Sequence, residues 1–351
     1  MFDQLSQLSH VFTPERAHTL AISALKLGVH ARDYAQPDPV LQTEIAGLSL
    51  PNCLGLAAGF DKNADVYNPM LGFGFGFVEC GTVTPKPQPG NAKPRLFRLG
   101  EDQAVINRMG FNNAGHQAFA DNLAKPHKGI VGANIGANKN SDDRLLDYRL
   151  GLRHLWGLAA YFTVNISSPN TPGLRALQSG DHLQALLGGI QEEHAALRAK
   201  DPQHNPPLFL KVAPDLSDED IPEIMAAAKS FGMDGLIVSN TTIARPETLK
   251  SQHRDETGGL SGRPVFAPST RVLAAFYACD PQMPLIGVGG VEDGATALAK
   301  IKSGASAIQL YSALVYHGPG LAKRILGDLK ARLQAEGFAT VTEAVGVDVR
   351  S

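Results

Sequence analysis

The sequence is poor in several things that would each point to a function class. Cysteine is scarce: only Cys53, Cys80 and Cys279, far apart, odd in number and without a CxxC pair. A disulfide scaffold or a cysteine-built zinc site is not expected, and a reducing compartment is the reading that follows. The eleven histidines show no HExxH or comparable ligand spacing, so no metal site is expected. No apolar run approaches the roughly 18 residues that a membrane-crossing helix needs. The N-terminus lacks a basic stretch followed by an apolar one, so no secretory signal is expected. Charge of one sign is lacking too. The 32 Lys and Arg against 34 Asp and Glu leave a net charge of -2, which argues against nucleic acid as a partner.

What is present is apolar bulk and punctuation. Of 351 residues 43% are hydrophobic, enough for a large core, and 36 Gly with 23 Pro imply many short elements. From about residue 45 onward, eight short apolar runs alternate with helical patterns. They are Leu54–Ala58, Gly76–Thr82, Ile130–Ile135, Phe162–Ile166, Leu208–Val212, Gly235–Ser239, Leu285–Val288 and Ala307–Tyr311. Most are rich in β-branched residues and too short for helices, so they read as buried parallel strands. Ser217-Asp218-Glu219-Asp220 opens one helix and Gly232 closes it; Ala295–Lys302, ending at Gly304, repeats the scheme. Eight strand–helix units are the count of a (β/α)8 barrel. A doubly wound sheet is the rival, but it does not require eight. Two connections are long: residues 83–112, with a hairpin of Arg95–Leu99 and Ala104–Arg108 around Gly100, and residues 240–265. Long connections in a compact domain are usually functional.

The first 44 residues read as a separate unit, and 45–351 as one barrel domain with insertions. Thr13-Pro14-Glu15 has the pattern of an N-cap, a first-turn proline and a first-turn acid, and Gly28 that of a C-terminal stop. Ala17, Leu20, Ala21, Ala24 and Leu25 form one apolar stripe; Phe2, Leu5, Leu8 and Phe12 form a weaker one. A hairpin of two amphipathic helices follows. The pattern leaves open whether its stripe packs on the barrel or lies at a lipid interface.

In a barrel the active site lies at the C-terminal strand ends. Those ends carry Gly59-Phe60-Asp61-Lys62-Asn63, Thr82, Asn134 with Asn138, and Asn165 with Ser167, Ser168 and Asn170. Lys211, Ser239-Asn240-Thr241-Thr242, Gly289-Gly290 and Tyr311-Ser312 complete the ring. Each alone is weak, because an Asn after a strand is usually a turn former. Together they aim amides, hydroxyls and two lysines at one mouth, which suits a polar, planar, amide-bearing ligand. The mouth holds no acid pair for a glycosidase and no Asp/Glu/His cluster for a metal hydrolase. The turns after the seventh and eighth strands mark the usual barrel phosphate site.

Three motifs make this pattern resemble a family. They are Ala57-Ala58-Gly59-Phe60-Asp61-Lys62-Asn63, Asn107-Arg108-Met109-Gly110-Phe111-Asn112-Asn113 and Asn165-Ile166-Ser167-Ser168-Pro169-Asn170-Thr171-Pro172-Gly173. Gly258-Gly259-Leu260-Ser261-Gly262-Arg263-Pro264 and Pro14-Glu15-Arg16-Ala17-His18 agree with them. Over nearly its whole length the chain resembles the class 2, quinone-dependent dihydroorotate dehydrogenases. The resemblance implies FMN as cofactor, oxidation of dihydroorotate to orotate in pyrimidine biosynthesis, and a membrane quinone as acceptor. It implies FMN contacts from Ala58, Gly59, Lys62, Thr82, Asn134, Asn165, Lys211, Ser239, Gly262, Gly290, Tyr311 and Ser312. Around the substrate it implies Lys62, Asn107, Arg108, Met109, Gly110, Phe111, Asn165, Asn170, Asn240 and Thr241, with Ser168 as the base. Class 1 members carry Cys at that position and lack the N-terminal helices, so Ser168 and the extension both indicate class 2. The resemblance also turns the hairpin into a quinone tunnel with peripheral contact to the cytoplasmic side of the cell membrane. Two departures are small: Ser239 stands where many members have Thr, and Ala137 where Lys is common. A soluble relative using fumarate or an NAD-linked partner, and a non-enzymatic flavin-binding barrel, are the competing readings.

Overall fold

The computed structural model describes residues 11–171, 173–178 and 180–350. The stripe of Phe2, Leu5 and Leu8, and Pro172 of the fourth-strand motif, lie outside the described residues.

Eight parallel strands close into a barrel. In chain order they are β3 (Leu54–Leu56), β4 (Phe77–Val83), β7 (Ile130–Ile135), β8 (Tyr161–Asn165), β9 (Leu208–Val212), β10 (Gly235–Val238), β12 (Leu285–Val288) and β13 (Ala307–Leu310). Each falls on one of the eight predicted runs, with ends moved by two residues at most. β13 pairs with β3 to close the ring. The strands are buried on both faces, which is why they read as continuous apolar runs rather than as alternation. Their outward side chains, such as Leu56, Val78, Val131, Phe162, Leu210 and Leu236, join the helices in one large core.

The barrel interior is filled by a second cluster of Phe77, Tyr161, Phe209, Ile237, Ile286 and Ala307. The three aromatic rings fit because each stands opposite a glycine on the adjacent strand. Gly55 pairs with Phe77, Gly132 with Tyr161, and Gly235 with Phe209. A Cβ on those glycines would lie 2.4, 2.1 and 2.5 Å from the ring atoms. That spacing leaves no room for any larger residue. A hairpin of β1 (Thr43–Ile45) and β2 (Leu48–Leu50) adds Ile45 and Leu50 to this cluster and plugs the barrel floor.

The long connections form a small antiparallel sheet over the opposite end. β5 (Leu96–Leu99) and β6 (Ala104–Asn107) make the predicted hairpin, and β11 (Gly259–Gly262) from the second long connection pairs with β6. Beside this sheet lies helix α1 (Pro14–Lys26). Its end is built as a Schellman turn, with Val29 N donating to Ala24 O (3.0 Å) and Gly28 N to Leu25 O (3.1 Å). Glu15 ties α1 down through Arg95, whose Nη2 donates to Oε1 at 2.7 Å, and Lys26 pairs with Asp65 at 2.7 Å. Burial alone would raise the Glu15 carboxyl, but the hydrogen bonds and charge of Arg95 win and hold it low.

The remaining helices pack around the barrel as the alternation requires. They are α2 (Tyr67–Leu71), α3 (Gly115–Leu123), α4 (Arg144–Leu155), α5 (Gly180–Lys200), α6 (Asp220–Ser230), α7 (Phe266–Cys279), α8 (Gly294–Lys302), α9 (Ala313–His317), α10 (Leu321–Ala335) and α11 (Val347–Arg350). The capping start of α6 lies one turn early, as a reciprocal Ser217–Asp220 pair. A capping box of Asp293 and Thr296 opens α8. The three cysteines are unpaired.

Candidate active site at the barrel mouth

One cavity of about 650 Å³ runs from the C-terminal ends of the strands, past Phe60, to the apolar stripe of α1. Ala58, Gly59, Lys62, Thr82, Asn165, Ser168, Lys211, Ser239, Asn240, Gly262, Gly290, Tyr311 and Ser312 reach its wall from separate strands and loops. Asn107, Met109, Gly110, Phe111, Asn170 and Thr241 close it from above.

Of the residues assigned to cofactor or substrate, two stand elsewhere. Asn134 is fully buried one layer below, accepting from Thr82 Oγ1 (2.5 Å) and donating to Glu79 Oε1 (2.7 Å). The Arg108 side chain turns outward: Nη1 meets Glu256 Oε2 at 2.8 Å, and the guanidinium stacks 4.6 Å from the Phe97 ring centre. Its backbone still helps shape the lid, because its carbonyl accepts from Asn91 Nδ2 (3.0 Å), which also donates to Asn170 O (3.3 Å).

The amide-rich face is a connected network. Asn165 Nδ2 donates to Thr82 Oγ1 at 2.8 Å, and Asn240 Nδ2 donates to Ser167 Oγ at 2.9 Å. Asn170 Nδ2 approaches Asn107 Oδ1 at 3.4 Å. Ser168 is buried, and its Oγ accepts the Asn170 backbone N–H at 3.3 Å. Arg175 fixes the loop from behind: Nε donates to Ser167 O (3.0 Å), Nη2 to Thr241 O (2.8 Å), and Nη1 pairs with Asp215 (2.7 Å).

Two lysines bring positive charge. Lys62 Nζ donates to Gly59 O at 2.7 Å. Burial pushes its ammonium down to about 8, although the charge of Asp61 works against that. Lys211 lies on the inner wall, 3.7 Å from Glu79. Glu79 is fully buried in the barrel axis and accepts from Asn134, Tyr161 (3.3 Å), Thr163 (3.1 Å) and Gln309 (3.0 Å). The sequence reading did not single out Glu79. The only signal available was an acid in the middle of an apolar strand, where an unpaired charge is too costly to stand.

A glycine turn that could cradle an anion follows β12, the seventh barrel strand. Gly290 has φ +73, and a Cβ there would sit 2.4 Å from Phe266 Cβ and 2.7 Å from Phe266 N. Only glycine lets this turn press against the first residue of α7, where helix N–H groups lack internal partners. Ser312 Oγ donates to Ser261 Oγ at 2.8 Å beside it. Tyr311 packs edge-on to Phe60 at 5.6 Å between ring centres, and burial pushes its phenol up to about 12.

The far end of the cavity is apolar. Ala17, His18, Leu20, Ala21, Ala24, Leu25 and Val29 line it, so the predicted stripe faces the cavity. His18, edge-on to Phe60 at 5.5 Å, is pushed down to about 3 by burial and then by Lys62. Val11, Phe12, Leu20, Leu27 and Val29 are exposed by 45–85%, and Phe12, Leu20 and Val29 line this opening. Among the described residues, no helix is long and apolar enough to cross a membrane, and no three His, Cys, Asp or Glu are placed to hold a metal.

Comparison with known proteins agrees with this geometry. Residues 40–333 match the family model described as dihydroorotate dehydrogenase. A dihydroorotate dehydrogenase (quinone) of Rhodospirillum rubrum is 55% identical, covering 96% of this chain and 92% of its own. That of Azorhizobium caulinodans is 51% identical, covering 97% of each. A crystal structure of the dihydroorotate dehydrogenase of Eimeria tenella in complex with ferulenol superposes with TM-score 0.92 at 41% identity, covering 97% of this chain and 96% of that one. The chain belongs to the dihydroorotate dehydrogenase family, in its class 2, quinone-dependent branch.

Proposed function

We propose that the cavity holds FMN across the barrel mouth, dihydroorotate under the Asn-rich lid, and a quinone along α1. The chain oxidises dihydroorotate to orotate with a quinone as acceptor, a step of pyrimidine biosynthesis. The observation that carries the assignment of sites is continuity. One cavity joins an anion cradle, a ring of amides with a buried serine, and an apolar channel that opens beside exposed hydrophobic side chains.

The residues present fit FMN. The cradle at Gly262, Gly290 and the start of α7 would take the phosphate, a position a Cβ on Gly290 would destroy. Thr82, Asn165, Lys211 and Ser239 would hold the ring system. When bound, FMN supplies the two-electron acceptor that links the substrate to the quinone.

The chain's own residues do the rest. Asn107, Asn170 and Asn240 offer donors and acceptors matched to an imide and a carboxylate. Lys62 offsets the negative charge of the substrate. Ser168 takes the proton at C5 of dihydroorotate. Among the described residues no side chain accepts the Ser168 hydroxyl proton, so water carries it away, while the Asn170 N–H steadies the charge that develops on Oγ. Arg175 keeps that loop in position. The lid excludes bulk solvent and holds the reacting groups in one orientation.

The apolar opening suits peripheral contact with the cytoplasmic face of a membrane, where burying each large side chain contributes roughly 1.5–3 kcal/mol. The test is anaerobic mixing of the purified protein with dihydroorotate. The visible flavin band should bleach, then recover with a soluble quinone and not with fumarate. Recovery with fumarate would refute the acceptor assignment, and absence of bleaching with flavin bound would refute the substrate site.

A further inference from the structure

Behind the anion cradle stands a cation that none of the assigned roles uses. Lys300 of α8 is fully buried. Its Nζ donates to Ser269 Oγ at 2.6 Å and lies 5.4 Å from the Phe266 ring centre. Ser269 Oγ is within reach of Val265 O (2.6 Å), Phe266 O (3.1 Å) and Gly289 O (3.3 Å). Lys300 is thus two hydrogen-bond lengths from the Gly289–Gly290 turn and beside the first residue of α7. Among the described residues no carboxylate pairs with it; the ammonium meets only the Ser269 hydroxyl and the Phe266 ring. A buried ammonium without a counter-charge is costly, and burial accordingly pushes it down to about 7. A tie between α7 and α8 needs no charge, because a methionine of similar length would fill the same space.

We propose that Lys300 is a positioning residue that supplies, through Ser269 and the Gly289–Gly290 turn, the buried counter-charge for the phosphate of FMN. The inference rests on the reading that the cavity takes FMN. The phosphate is the missing anion: it closes the cradle from the solvent side, while Lys300 holds the rear. A flavin without phosphate gains nothing from it.

The experiment compares FMN with riboflavin. Full-length protein freed of flavin is titrated with each by fluorescence quenching, for the parent chain and for Lys300→Met, Lys300→Gln and Lys300→Arg. Lys300→Met removes an unpaired buried charge and should fold at least as stably; Lys300→Gln can still donate to Ser269 and separates charge from hydrogen bonding. Thermal melts accompany each. The expected result is FMN affinity about tenfold weaker in the Met and Gln variants, with riboflavin affinity within twofold and the FMN preference largely kept by Arg. An FMN-to-riboflavin ratio unchanged in the Met and Gln variants would overturn the proposal while leaving FMN binding intact. A parent chain that does not prefer FMN would instead refute the cofactor reading on which it rests.

Discussion

The Glu79–Lys211 pair gives the sharpest quantitative prediction. The two charges are 3.7 Å apart, with side-chain exposures of 0% and 5%. At an effective dielectric of roughly 20 such a pair attracts by about 4 kcal/mol. Replacing Glu79 with Gln leaves Lys211 as an unpartnered buried cation. It also puts an NH2 group against a donor whichever oxygen it replaces: Asn134 at Oε1, or Tyr161, Thr163 and Gln309 at Oε2. Breaking a buried pair from one side costs about 3–5 kcal/mol, so Glu79→Gln should lower the unfolding free energy by that amount. Lys211→Met should cost a similar amount by stranding Glu79. The double substitution should cost no more than either single one, because no unpaired charge remains. The assay is urea unfolding of the flavin-free protein followed by circular dichroism, run as a double-mutant cycle. Single substitutions within about 1 kcal/mol of the parent chain, adding without coupling, would refute the claim that the pair is held as charges in the barrel axis.

Four further outcomes follow from the site. Ser168→Ala should bind FMN normally and slow flavin reduction by dihydroorotate roughly 10²–10⁴-fold in stopped-flow measurements; an unchanged rate would remove Ser168 from the chemistry. Lys62, depressed from 10.5 to about 8, is charged below that pH and neutral above it, so orotate affinity should fall as pH rises through about 8. Lys62→Met should flatten the profile. Between pH 8 and 10.5 the unfolded chain holds a proton that the folded one gives up, so stability of the flavin-free protein should rise over that window. Ala21→Trp should narrow the apolar channel and raise the quinone KM about tenfold, while anaerobic flavin reduction by dihydroorotate is unchanged. Equal loss of both half-reactions would place α1 outside the quinone path.

Much of the architecture was legible because each barrel strand is a short apolar run buried on both faces. The eight runs are separated by helical patterns with their own stop signals, so the count survived errors of two residues at the ends. The Gly289–Gly290 turn was legible for the same reason, since its position follows from the strand count. Other features carried no local signal. Gly55, Gly132 and Gly235 lie inside the predicted strands, but nothing local requires glycine there until the register sets them against Phe77, Tyr161 and Phe209. The β1–β2 hairpin escaped notice because three-residue strands give no period to read.

The sequence by itself determined which chemistry was to be expected: amides, hydroxyls, two lysines and a glycine turn at strand ends, without the spacing of an acid pair or of metal ligands. It left the stripe of Ala17, Leu20, Ala21, Ala24 and Leu25 with two faces to choose from. Only the tertiary structure decided that this stripe lines the cavity. It alone turned Arg108 outward to Glu256 and set Asn134 one layer below the wall. It alone placed Glu79 beside Lys211, and Lys300 behind Gly289. The reason is that periodicity fixes which residues share a face of one element, whereas the partner of a buried charge is set by closure of the barrel. Glu79 and Gln309, for example, are 230 residues apart in the chain and hydrogen-bonded in the fold.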